Sequence, residues 1–120
     1  MTKAIRTLVA FTLLAALGTA NATRVIEQLE RAFELSLADL TLPTVPTGGI
    51  TFRRCEDCAF TTHALTSSTQ FRINDQDLPF EEFIRVAKDL RADRGTSEAT
   101  FAGVFVDIES GRVTRVMLRH

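Results

Sequence analysis

Tryptophan and tyrosine are both absent from this 120-residue chain, and cysteine occurs only twice. Nine phenylalanines make up its whole aromatic set. Phenylalanine fills cores, whereas Tyr and Trp join contact area to a hydrogen-bonding tip and dominate binding hot spots and sugar platforms. A carbohydrate-binding surface is therefore disfavoured. There is no excess of positive charge: 14 Lys and Arg stand against 15 Asp and Glu, for a formal net charge of −1. A nucleic-acid partner, which calls for a basic face, is not expected. No apolar run approaches the roughly 20 residues that a membrane-spanning helix needs. Nor does the chain hold a G-x-S-x-G elbow, a P-loop, an H-E-x-x-H pair or a dinucleotide fingerprint. A calcium loop starting at Asp75 would need glycine at Phe80 and glutamate at Val86. These absences point away from an enzyme and imply no cofactor.

The N-terminus has the three regions of a secretory signal. Lys3 and Arg6 give a positive start, residues 8–17 (LVAFTLLAAL) form an apolar stretch, and Ala20-Asn21-Ala22 makes a small-x-small cleavage site. Residues 1–22 are thus expected to be a signal peptide, with a periplasmic or secreted product and no stable membrane insertion afterwards. Its removal takes away two cations and no acid, which leaves a more acidic chain long enough for one small domain.

Beyond the signal, Val25, Ile26, Leu29, Ala32, Phe33 and Leu37 recur at three- and four-residue intervals, which predicts a helix over residues 23–37. Residues 38–49 (ADLTLPTVPTGG) form a Pro/Gly connector, the best internal boundary in the chain. Residues 50–120 then make an α+β domain. Ile50-Thr51-Phe52-Arg53-Arg54 alternates apolar with polar, and residues 59–65 (AFTTHAL) suit a second strand. Thr69-Gln70-Phe71-Arg72-Ile73 alternates strictly and ends at the turn-forming Asn74-Asp75. Phe80, Phe83, Ile84, Ala87 and Leu90 follow helical spacing, with Pro79, Glu81 and Glu82 at the start and Gly95 available to close the helix. Residues 100–108 and 112–119 make a last hairpin around Glu109-Ser110-Gly111. The expected order is α-β-β-β-α-β-β, a small single α+β domain with a mainly antiparallel sheet and its helices packed on one face.

The chemistry concentrates at Cys55-Glu56-Asp57-Cys58. In an exported protein this spacing suits a short-range disulfide. Residues i and i+3 of a tight reversal bring their α-carbons within about 7 Å, and a disulfide spans about 4.4–6.8 Å. The bridge would be a modest staple, worth about 2 kcal/mol by loop entropy. A redox centre needs a lowered thiol pKa from a helix N-terminus or a cationic cluster. Here Arg53 and Arg54 are cancelled by Glu56 and Asp57, and a strand follows. A metal site would need ligands beyond the two cysteines; His63 is the candidate on the adjoining strand, and His120 ends the chain. Arg53, Arg54 and Arg72 on neighbouring strands could instead bind an anion, or form a solvated sheet face.

The run Phe52-Arg53-Arg54-Cys55-Glu56-Asp57-Cys58, with Thr69-Gln70-Phe71-Arg72-Ile73-Asn74, residues 78–83 and Arg112-Val113-Thr114-Arg115-Val116, resembles small exported proteobacterial proteins of unknown function. The resemblance implies bacterial export and a cysteine pair, and no activity. Phe71-Arg72-Ile73-Asn74-Asp75 and the helix after it loosely resemble the periplasmic domains of TolR-like energy-transducing proteins, without their membrane anchor or strand–helix ending. The expectation is a small exported binding or interaction protein for an unknown protein or small ligand, its Cys55–Cys58 pair closed as a clamp. The alternative is a periplasmic thiol-disulfide or metal-handling protein using the same pair.

Overall fold

A computed structural model describes residues 29–120. The signal expected over residues 1–22, and the first part of the predicted helix, lie outside the described residues. Strands β1 (Glu30–Ser36), β2 (Gly49–Phe52), β3 (Thr61–Ala64), β4 (Gln70–Ile73) and β5 (Gln76–Asp77) come first. Helices α1 (Phe80–Ala92) and α2 (Arg94–Ala99) follow, then strands β6 (Phe101–Asp107) and β7 (Val113–Arg119). The main sheet has five strands in the order β1-β6-β7-β4-β5, antiparallel except where β4 runs parallel to β7. β2 and β3 pair as a separate antiparallel hairpin. The class is α+β, with helices and hairpin sharing one core against one face of the sheet.

That core follows from strand alternation. Ala102, Val104 and Val106 of β6, Val116 and Leu118 of β7, and Phe71 and Ile73 of β4 all point to the same side. Phe83, Ile84 and Ala87 close over them from α1, and the Phe83 ring lies 5.0 Å from that of Phe71. Ile50 and Phe52 complete the core from the hairpin.

The first element differs from its prediction. Residues 30–36 are strand, followed by a 3₁₀ turn at Leu37–Asp39. Leu29, Phe33 and Leu37 fit helical spacing, but Phe33, Leu35 and Leu37 also fit a two-residue period. All seven β1 residues pair with β6. Tertiary pairing decides between two periods that the sequence satisfies together. Ser36 ends the strand: its hydroxyl accepts from the Ala38 N–H and lies 3.0 Å from the Ser97 and Glu98 carbonyls.

The connector is also more tightly held than its composition suggests. Leu37 and Leu40 are fully buried, Pro43 is buried, and Thr41 exchanges backbone hydrogen bonds of 2.8 and 3.3 Å with Thr51. Gly95 does not close α1 but lies inside α2, which the sequence pattern missed. Asp93 breaks the helical path and caps α2, accepting from the Thr96 N–H at 2.8 Å and the Thr96 hydroxyl at 2.7 Å. Asn74-Asp75 forms the expected turn, both residues with positive φ (49° and 68°), between β4 and the short β5.

The last hairpin carries two checkable features. Gly111 has φ +73°, and a Cβ there would meet nothing within 4 Å. Gly111→Ala should therefore cost about 1 kcal/mol, a backbone cost with no steric part, read as a lower urea midpoint at unchanged m. Asp107 accepts from the Ser110 N–H at 2.8 Å. That bond first, and one from the Ser110 side chain second, hold the Asp107 carboxyl below its ordinary range. The Thr96 hydroxyl first, then its N–H, do the same for Asp93. Both groups are ionised in the native state at acidities where the unfolded chain is already protonated. Their contribution is complete above the unfolded Asp value and is lost as pH falls through the native ones. Urea midpoints should fall as pH drops below the unfolded Asp value of about 4, and those of D93N/D107N should fall less over the same window.

Candidate functional site

The cysteine motif sits at the tip of the β2–β3 hairpin. Cys58 N–H donates to the Cys55 carbonyl at 3.2 Å, which makes residues 55–58 a closed reversal. Cys55 and Cys58 are joined by a disulfide with their α-carbons 5.1 Å apart. No free cysteine remains among the described residues. Cys55 is exposed and Cys58 half-buried.

The loop is anchored by aromatic contacts on both sides. The Arg53 guanidinium lies 5.1 Å from the centre of the exposed Phe60 ring, and that of Arg54 lies 5.3 Å from the Phe33 ring. Phe33 of β1 meets Phe52 of β2 at 5.0 Å, and His63 of β3 stacks on Phe52 at 5.3 Å. This seam fixes the hairpin to the edge strand of the main sheet. The two cations beside the motif face rings, while the acids Glu56 and Asp57 occupy the turn itself. No helix begins at either cysteine. The devices that usually stabilise a thiolate are not assembled here.

His63 is committed to the scaffold. Its Nδ1 lies 3.1 Å from the Gly111 carbonyl, which can only accept, so Nδ1 carries the hydrogen. Its Nε2 lies 3.2 Å from the Thr61 hydroxyl. The sulphurs are bonded to one another, and among the described residues no group of three His, Cys, Asp or Glu is placed to hold a metal ion. His120 donates its backbone N–H to the Asn74 side chain at 2.9 Å.

Of the three arginines considered for an anion, Arg53 and Arg54 line one groove of about 450 Å³ between the disulfide loop and β1. Glu34, Asp39 and Phe101 line it as well, so its charge is mixed. Arg72 does not line that groove. Its guanidinium pairs with Asp77 at 2.9 Å across the β4–β5 turn, and that hydrogen bond and charge raise its pKa further.

Sequence reasoning missed the other face of the main sheet. Phe101, Phe105 and Met117 lie half-buried there, with the Arg115 guanidinium 4.0 Å from the Phe105 ring and 3.2 Å from Glu30. The signal was present. Residues 101–106 (FAGVFV) are apolar at odd and even positions alike, whereas a sheet with one wet face alternates.

Comparison with known proteins finds no family model, no curated protein and no solved structure that matches the chain.

Proposed function

We propose that the protein is a small exported interaction domain without catalysis, in which the Cys55–Cys58 bridge clamps the loop that presents Arg53 and Arg54. One observation carries this reading: the disulfide-closed turn holds both arginines on aromatic rings beside the mixed-charge groove along β1. A mixed-charge groove of this size suits an extended segment of a partner protein, or a small charged ligand, more than a purely anionic one. Export is supported by the three-part N-terminus and by a bridge of the kind that persists in oxidising compartments. The resemblance to small exported proteobacterial proteins, which implies export and a cysteine pair, belongs to the same proposal.

Two measurements test the reading. Intact mass of the protein recovered from its native host should show a chain beginning at Thr23 and lacking the two thiol hydrogens. A chain retaining residues 1–22, or one with free thiols, would count against it. Partner recovery with R53E/R54E should fall sharply, while the variant stays folded with only a small drop in thermal unfolding, since each lost arginine–ring contact is worth about 0.5–1 kcal/mol and neither arginine is buried. The rival reading, thiol exchange or metal handling by the same pair, draws on the exposure of Cys55. It predicts catalysis of disulfide exchange in a model substrate, or metal recovered with the reduced protein.

A further inference from the structure

The face of the main sheet turned away from α1 and α2 is covered by no described helix or strand, and the disulfide loop borders it only at the β1 edge, yet it is not a polar face. Strand register places its residues in rows. One row runs Glu34, Gly103, Met117, Arg72, and the next runs Ala32, Phe105, Arg115, Gln70. At its centre Gly103 has no side chain, and a Cβ there would lie 3.0 Å from the Met117 side chain and 3.5 Å from each of the Phe101 and Phe105 rings. These three side chains close over the glycine and form a flat apolar platform. Arg115 is folded down onto Phe105 rather than extended into solvent.

The charges around that platform are partly separated by strand. β1 contributes acids, Glu30 and Glu34, and β4 and β7 contribute cations, Arg72, Arg115 and Arg119, which also pair within the chain with Asp77, Glu30 and Asp75. Such a surface is self-complementary under one symmetry and not the other. A two-fold axis parallel to the strands, on the midline between β6 and β7, exchanges β1 with β4 and β6 with β7. It places Glu34 of each copy opposite Arg72 of the other, with the apolar platforms face to face. A two-fold axis across the strands would set acid on acid. The geometry points to a face-to-face homodimer of this sheet, with Glu34 and Arg72 as its reciprocal contacts. Two sheets packed this way sit about 10 Å apart, with interdigitating side chains. The face measures roughly 450 Å² in projection, from strand spacing and rise. That is at the small end for a specific interface, so the association is micromolar rather than nanomolar. Glu34 and Phe101 also line the groove beside the disulfide loop, so the dimer would compete with a ligand bound there.

Sedimentation velocity on the full chain, across about 1 to 500 μM, tests it. The parent should pass from monomer to dimer in that range. E34R and R72E should each weaken self-association by about tenfold, because each sets two like-charge pairs across the axis. Mixed together, E34R and R72E should associate at least as well as the parent, since every pair is then opposite in sign. M117K, which puts a charge at the centre of the platform, should abolish the dimer; it keeps the test open should R72E fail to fold beside Asp77. A parent that stays monomeric throughout overturns the proposal. So does a folded E34R or M117K that dimerises like the parent, or a mixture of folded single variants that remains monomeric.

Discussion

Phe52→Ala should destabilise the protein by about 3–5 kcal/mol, the usual cost of emptying a buried phenylalanine site. Phe52 is fully buried and belongs to the one core, although it lies on the separate two-stranded hairpin. Its ring meets Phe33 at 5.0 Å and His63 at 5.3 Å, so its loss opens the seam between the hairpin and β1. A small domain has about 5–15 kcal/mol to lose, and such a variant would be partly unfolded under mild conditions. The control is Phe60→Ala. Phe60 is 63% exposed, and its removal should change stability by less than about 1 kcal/mol. Urea unfolding followed by far-UV circular dichroism distinguishes the alternatives. A single transition moved to low urea shows that the hairpin is part of the cooperative unit. An unchanged main transition would show it to be an appendage.

The second large effect concerns the bridge itself. C55S/C58S, or the parent under reductant, should lose about 2 kcal/mol, the loop-entropy value for so short a closure, and remain folded. Ile50 and Phe52 of the hairpin are buried in the shared core, so the strands have a reason to pair besides the bridge. Amide chemical-shift changes should be confined to residues 49–64 and the strand beneath them. Loss of all structure on reduction would make the disulfide a requirement for folding rather than a clamp. No change in stability would leave the turn held by its backbone hydrogen bond and arginine stacks alone.

Residues whose patterns had one solution were legible in advance. Phe80, Phe83, Ile84 and Ala87 fit only a helix, and α1 forms there. Phe71 and Ile73 fit only a strand, and Asn74-Asp75 tolerates the left-handed backbone that the next turn demands. Cys55 and Cys58 were legible because spacing alone sets their separation. Phe33 and Leu37 misled, since four residues is a multiple of the strand period and close to a helical turn; β6 decided the matter from some 70 positions away. Asp93 was missed because a cap that ends one helix and starts another leaves no gap in the polar pattern. The grouping of Arg53 and Arg54 without Arg72 depends on sheet order, which no local window contains: β4 lies beside β7, and the hairpin lies over β1.

A structural bridge at Cys55–Cys58, unlike a redox centre, should resist reduction. Its reduction potential, from equilibration with glutathione and dithiothreitol buffers, tests this most directly. A clamp with no stabilised thiolate should be more reducing than thioredoxin, below about −270 mV. A potential near those of exchange enzymes, about −180 to −120 mV, would contradict the account and make the pair a redox centre.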